Sequence, residues 1–353
     1  MSGTVLLVGP ECETSSGGMA SVIRTLRDSP TLRSEWNIKV FPSCCDGPLV
    51  KRLSYTAVQL LRFVVGAQAD VCHIHIASYS STWRKLLYGR IAGAKGMNVI
   101  YHIHGAEYRE FVSSLSPSKR RYVVDALSAA ERVVALSNSW KSYFQKELGL
   151  NNVSVIYNSI DVDSFDYAIG EEGHVAFVGR IGSRKGTYDL LEALAIIKRR
   201  GSFFHCVLAG DGEVDKAEKI ADSLGVSGNV DFVGWVSVRD VRRIMMESSI
   251  LVLPSYNEGF PMSIIEAMSC GNAIVSTDAG GIPEAVCGEG SILVSPGDID
   301  GLANALQKLL EDRNLSTKMA EKNRQYVERE LDNKVVHKQL SCVYTETMNG
   351  YAE

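Results

Sequence analysis

Short apolar runs recur along the first half of the chain, at Val5 to Val8, Ile38 to Phe41, Val71 to Ile76, Val99 to Ile103, Val133 to Leu136 and Val153 to Tyr157. Stretches of helical periodicity separate them. Runs this short, apolar on consecutive positions, suit strands buried on both faces, and their alternation with helices predicts a parallel α/β layer. Asp163 to Gly173 then breaks the pattern: it is acidic, contains glycine and has no apolar period, so it is the expected linker. Beyond it the pattern restarts with His174 to Val178, Phe204 to Ala209, Val230 to Val233, Ile250 to Leu253, Ala273 to Ser276 and Ser291 to Val294. Asp300 to Tyr326 and the tail from Asn333 to Glu353 read as helices. The expectation is an α/β chain of two Rossmann-like, doubly wound parallel sheets, one in 1–165 and one in 166–332.

Length and charge agree with that reading. A chain of 353 residues is long enough for two domains that each bury a core. The net charge of −4 gives no basic excess of the kind nucleic-acid binding favours. No run reaches the roughly 18 to 20 apolar residues of a membrane span, and the N-terminal run lacks a charged lead. The expected location is the cytoplasm. Eight cysteines lie scattered without a C-x-x-C pair or zinc-like spacing, so reduced thiols are expected.

The densest chemical signal follows the run Ile250 to Leu253, in Ser255-Tyr-Asn-Glu-Gly-Phe-Pro-Met-Ser-Ile-Ile-Glu-Ala-Met-Ser-Cys-Gly271. A helix should open at about Pro261 and close at Gly271 in a left-handed cap. The unpaired amides of its first turn, near Gly259, Phe260, Pro261, Met262 and Ser263, make a seat for phosphate; Pro261 itself has no N–H to offer. Glu258 and Glu266 flank the seat. Eight residues along a helix would separate them by roughly 12 Å, wider than the roughly 5 to 9.5 Å of a glycosidase pair. They suit two parts of one elongated ligand. The plainer alternative for Glu266 is a capping box with Ser263.

A second strand-to-helix loop, Gly179-Arg-Ile-Gly-Ser-Arg-Lys-Gly186, places Arg180 and Lys185 at the start of another helix. Cations there oppose the helix dipole, a cost that a shared anionic ligand offsets. Ser183 and Arg184 stand where a Walker loop needs glycine before lysine. A third loop, Ser15-Ser-Gly-Gly-Met-Ala20, brings Gly17 and Gly18, which permit positive φ and close ligand approach. His73, His75, His102 and His104 form two His-x-His pairs, each aimed one way from its strand. Satisfied core histidines are the expectation for the first three, with a zinc site as the alternative. His104 ends its strand before Gly105, at the carboxyl edge where open α/β sheets bind ligands.

Together these motifs resemble the retaining GT-B glycosyltransferases of the family 4 group, with the specific likeness concentrated in the second half. The resemblance implies two domains facing a cleft, the first binding the acceptor and the second the nucleotide sugar, with the tail 333–353 crossing back to the first. It implies that Glu258 contacts the donor sugar's hydroxyls, that the amides of Gly259 to Ser263 with Arg180, Lys185, Gly17 and Gly18 hold the diphosphate, and that Glu266 holds the ribose. His104 would face the transferred sugar, and Trp235 and Val236 the base, although Trp235 fits a core position equally. His104, Glu258, Arg180 and Lys185 are thus the expected catalytic set.

The implied reaction moves a hexose-type sugar from a UDP-linked donor to a saccharide or lipid-linked acceptor in cell-envelope polysaccharide or lipopolysaccharide synthesis. No cofactor or metal is expected, on the reading that the chain lacks an Asp-x-Asp pair. Alternatives are a catalytically silent nucleotide-sugar-binding partner and another GT-B enzyme, such as a nucleotide-sugar epimerase or a phosphorylase. Basic and apolar residues mingle in Lys51 to Val65, Trp83 to Arg90 and around Lys119-Arg120-Arg121. An ordinary amphipathic helix with a charged edge explains this, and so does docking on an inner-leaflet membrane surface.

Overall fold

The fold is a computed structural model that describes residues 3–13, 15 and 17–349. Ser16 of the glycine loop and the last four residues of the expected tail helix lie outside the described residues. Two units divide the chain: residues 1–159 with 333–353, and residues 160–332.

In the first unit six strands alternate with helices: β1 (Gly3–Pro10), β2 (Trp36–Cys44), β3 (Val71–Ile76), β4 (Asn98–Ile103), β5 (Arg132–Ala135) and β6 (Val153–Val155). They lie in the order β2-β1-β3-β4-β5-β6, and every neighbouring pair is parallel. β3 is buried along its whole length, its two histidines included, as a strand covered on both faces should be. Phe63, Tyr88, Tyr108 and Phe144 fill the core that one face of the sheet shares with its helices. The helix Asn333–Asn349 packs in this unit as well. Trp36 Nε1 donates to Ser341 Oγ at 2.7 Å, Tyr344 Oη lies 2.7 Å from His73 Nδ1, and Arg132 pairs with Glu346 at 2.9 Å.

The second unit repeats the plan with β7 (Glu171–Val178), β8 (His205–Ala209), β9 (Val230–Gly234), β10 (Ser248–Leu253), β11 (Ala273–Thr277) and β12 (Ser291–Val294). Their order is β12-β11-β10-β7-β8-β9, again parallel throughout. All twelve strands lie where apolar runs predict them. Asp163 to Gly173 departs from expectation. Glu171 to Gly173 open β7, with Glu171 paired to Ser248, and the Ala168 amide donates to Cys270 O at 3.0 Å. A Cβ on Gly170 would come within 2.1 Å of the Ser248 carbonyl oxygen. Backbone pairing holds this acidic stretch against the second unit, and the division between units falls earlier, at Ser159/Ile160.

Each sheet has one place where neighbouring strands send their connections in opposite directions, and ligands of open α/β sheets bind at the carboxyl edge of such a switch point. In the first unit it lies between β1 and β3, and in the second between β10 and β7.

Candidate active site

The loops that leave β7 and β10 at the second switch point carry the basic and acidic motifs, and backbone bonds zip them together. Tyr256 N donates to Arg184 O at 2.9 Å, Arg184 Nη1 reaches Asn257 O at 3.2 Å, and Tyr256 Oη donates to Asp189 Oδ2 at 2.7 Å. Gly186 takes a left-handed φ of 67°, and a Cβ there would fall 1.9 Å from the Pro254 carbonyl oxygen. Glycine at this position is what lets the two loops close up. The loops after β7, β8 and β9 are joined too: Ile181 N donates to Asp211 O at 2.7 Å, and Gly210 N to Gly234 O at 2.8 Å.

This scaffold brings Lys185 and Glu258 into a direct ion pair, with side chains only 14% and 8% exposed. Ser255 Oγ donates a second hydrogen bond to the same Glu258 oxygen, at 2.8 Å. Arg180 stands exposed on the adjoining turn, with its stem against Gly212. Gly259, Phe260 and Pro261 are buried and lead into the helix Met262–Cys270. No side chain caps that helix and its first turn holds no acid. Its amino end therefore offers donors and partial positive charge beside the Lys185 loop.

The structure decides against the capping box. Pro261 is the N-cap and Ser263 lies inside the helix, so the Ser263 hydroxyl cannot take the capping position. Glu266 is free of that duty and sits partly buried, where desolvation pushes its carboxyl up to about 7 and the charge of Arg242 opposes the rise only in part. Arg242 is held elsewhere, donating to Ser164 O at 2.7 Å over the Phe165 ring. Gly271 closes the helix with φ 103°, as its sequence position predicts.

Trp235 and Val236 follow the edge strand β9, away from the ion pair in the sheet order. Trp235 is 66% exposed, which overturns the core alternative for it. Val236 borders a groove of about 300 Å³ with Asp231, Asp240 and Arg243.

In the first unit Gly17 is the extended N-cap of the helix Gly18–Asp28, at φ −79°. The positive φ expected of the glycine pair is not used at either residue. A Cβ on Gly17 or Gly18 would meet nothing within 4 Å, so what the pair leaves is open space over a helix start that no described side chain caps. His104 follows β4 on the same sheet edge, half-buried, its Nε2 2.8 Å from His75 Nδ1. Burial holds its imidazole at about 3, hence neutral. Gly105 beside it is obligatory, because a Cβ would strike Ser78 Oγ at 2.3 Å. Tyr79, next in that β3 loop, has φ 58°, a strained value for a bulky residue.

The remaining histidines stack behind His104. His73 Nε2 lies 3.2 Å from His102 Nδ1, and the ligand atoms of His73, His75 and His102 lie within 4.8 Å of one another. Burial drives all three below the ordinary histidine range. The trio could converge on a metal, but among the described residues no carboxylate or thiolate joins it to balance a buried cation's charge. The expectation of a metal-free site needs a correction in the sequence itself. Asp161-Val162-Asp163 and Asp298-Ile299-Asp300 are Asp-x-Asp triplets. Asp298 is engaged locally, accepting from Gly301 N at 2.9 Å as a helix cap, and Asp161 leads into the turn Val162–Ser164.

Reading motifs alone missed four residues that act on expected ones: Ser255, bonded to Glu258, His75, bonded to His104, Arg242, whose charge acts on Glu266, and Gly280. A Cβ on Gly280 would lie 2.0 Å from the Glu258 carbonyl oxygen, so this glycine makes room for the Glu258 backbone.

Two doubly wound parallel sheets with switch-point loops of this kind define a GT-B fold. Sucrose-phosphate synthase from Thermosynechococcus elongatus superposes with a TM-score of 0.81 over 98% of this chain and 99% of that one, at 18% identity. Anabaena HepE in complex with UDP and glucose does so with 0.77 over 98% and 100%, at 20% identity. Residues 159–326 match the family described as glycosyl transferases group 1, and residues 16–164 match glycosyltransferase family 4. The chain belongs to the group 1 glycosyltransferases of the family 4 type. A lipopolysaccharide core biosynthesis glycosyltransferase, LpsE of Rhizobium meliloti, is 36% identical over 151 residues, 42% of either chain. The matched stretches span half or less of the length of the first curated relatives.

Proposed function

We propose that this chain transfers a hexose-type sugar, with retention of anomeric configuration, from a nucleoside diphosphate sugar to a saccharide or lipid-linked acceptor of the cell envelope. The observation that carries the reading is the convergence of Arg180, the Lys185–Glu258 pair and the uncapped helix Met262–Cys270 at one switch point. When the bond between the anomeric carbon and the diphosphate oxygen breaks, negative charge builds on the diphosphate and positive charge on the sugar. Arg180, Lys185 and the amides from Phe260 to Ser263 receive the first without reorganising. Glu258 orients the sugar hydroxyls, and Glu266 accepts from the ribose. The acceptor oxygen bonds the anomeric carbon on the face the diphosphate leaves, and its proton passes to a diphosphate oxygen.

On the first unit, the open space at Gly17 and Gly18 suits a close phosphate, and His104 suits the transferred sugar. Trp235 and Val236 are assigned the base. The donor is proposed to be UDP-linked, in keeping with the UDP and glucose bound to HepE. Lipopolysaccharide or polysaccharide assembly is the proposed setting, after the lipopolysaccharide core biosynthesis of LpsE. No metal is invoked, since two side-chain cations and a helix terminus already face the charge that develops.

Calorimetric titration with a panel of UDP- and GDP-sugars, followed by mass analysis of slow donor hydrolysis, tests the reading. Binding of one UDP-sugar with release of its free sugar is the expected result. Lack of affinity for every member of the panel would refute it, and binding without turnover under any acceptor supply would move the chain to the silent-partner class.

A further inference from the structure

The 18-residue helix Leu49–Gly66, between β2 and β3, turns its apolar side outward. Only Gln59 and Phe63 are buried in it, whereas Val50, Leu53, Leu61 and Val65 are 79%, 62%, 67% and 85% exposed. With about 3.6 residues per turn, Val50, Leu53, Ala57, Leu61 and Val64 form one stripe opposite Gln59 and Phe63. A helix that only packs on its sheet has the reverse arrangement, so the ordinary amphipathic reading fails for this segment. Lys51 and Arg62 lie together along one side of the stripe, Arg52 projects to the side of Gln59 and Phe63, and the helix contains no acidic residue. Lys95 Nζ donates to Val64 O at 2.7 Å, tying the end of this helix to the end of the helix Ser80–Ala94, which exposes Leu87 and Arg90.

We propose that this helix lies flat in the headgroup region of an anionic bilayer, with its aliphatic stripe inserted and Lys51 and Arg62 on lipid phosphates. Isolated surface leucines need no explanation, but a continuous stripe of them with a cationic border does. The chain as a whole carries −4, so the attraction is local to this face. Charge also argues against a second copy as the occupant. Two-fold pairing would set Lys51 and Arg62 near their own counterparts, with no carboxylate on the helix to meet them. Among the described residues no helix is long and apolar enough to cross a membrane, so the mode is in-plane. The inference stands on this surface alone and not on the transfer reaction. If both hold, the acceptor reaches the enzyme at a lipid surface.

The test is co-sedimentation of the full chain with vesicles of phosphatidylcholine alone and of phosphatidylcholine with phosphatidylglycerol. Recovery with the anionic vesicles only is expected. Each cation near the surface is worth about fivefold in partitioning, so the double variant Lys51→Gln, Arg62→Gln should weaken binding about 25-fold, and Arg52→Gln should change it little. The double variant Leu53→Asp, Leu61→Asp should abolish it with an unchanged melting temperature, since both side chains already face solvent. In Leu61→Trp, indole emission should shift to the blue on anionic vesicles alone. Equal recovery on both lipids, or none on either, overturns the proposal. So does concentration-dependent self-association that the double aspartate variant removes while lipid binding stays absent.

Discussion

The Lys185 ammonium meets the Glu258 carboxylate between the loops of β7 and β10, nearly out of solvent and with Ser255 as a third partner. In the unliganded protein each charge satisfies the other. A nucleotide sugar would engage both at once, its phosphate drawing on the lysine and its hydroxyls on the glutamate.

Removing one member of the pair should therefore cost stability as well as chemistry. Glu258→Gln or Lys185→Met leaves a nearly buried charge unpartnered, and chemical denaturation should report a loss of up to about 3 kcal/mol for either. The double variant should recover much of that loss while donor turnover stays absent. Additive losses would show that the pair is not coupled in solution.

Arg180 offers the opposite balance. Exposed on its turn, it should tolerate Arg180→Ala within about 0.5 kcal/mol of the parent stability. Turnover should fall about a hundredfold, mostly in kcat, if its charge acts on the departing diphosphate. Parent-like turnover in this variant would remove Arg180 from the catalytic set.

The ribose role proposed for Glu266 would make nucleotide affinity pH-dependent. Its carboxyl titrates near 7 because desolvation outweighs the pull of Arg242. A carboxylate can accept from two ribose hydroxyls, whereas the protonated acid spends one oxygen as a donor. Nucleotide affinity should weaken as pH falls below 7, by up to about tenfold per unit, and Glu266→Gln should flatten the profile. Calorimetry across that range decides it, and a flat parent profile contradicts the ribose role.

The strands and the two charged loops were legible because burial on both faces writes itself as short apolar runs, and because charged residues gathered where a strand runs into a helix stand out from the apolar pattern. The Ser263 to Glu266 spacing left a capping box open as the alternative, and only the structure removes it, since a capping box depends on which residue is the N-cap and Pro261 takes that place. Gly280 was unreadable for another reason. Asp278 to Glu284 looks like any turn, and its purpose appears only where its backbone meets that of Glu258. The bond from His75 to His104 was hidden likewise, because choosing among four imidazoles requires the register that sets His75 opposite His102.

That histidine stack predicts acid sensitivity. His73, His75 and His102 are neutral when folded, with burial holding them far below 6.5. The unfolded chain binds these protons first, so stability is full above about pH 6.5 and falls as pH drops through that value. At pH 5 each of the three lowers stability in the same direction. His104, held at about 3, and His337, lowered to about 4, act in the same sense through burial, whereas Glu266, whose folded value is raised, works against the five between its ordinary range and 7. Melting temperature should drop steeply from pH 7 to 5, and a constant value over that span would show that the rings are already protonated or solvated.

Two glycine substitutions separate folding from ligand room. Gly280 has φ 57°, and the Cβ of Gly280→Ala would press on the Glu258 carbonyl oxygen at 2.0 Å and on its nitrogen at 3.2 Å. Backbone atoms cannot step aside as a flexible side chain does, so a stability loss of more than about 1 kcal/mol is expected together with weaker donor binding. Gly18→Ala is the contrasting case. Its Cβ enters open space in the first turn of a helix, where alanine stabilises by about 0.4 to 1 kcal/mol, so the fold should gain slightly. A diphosphate lying over that turn would meet the new methyl group, and the donor KM should rise while the melting temperature holds or climbs. An unchanged KM in Gly18→Ala would place the phosphates away from the first unit's glycine pair.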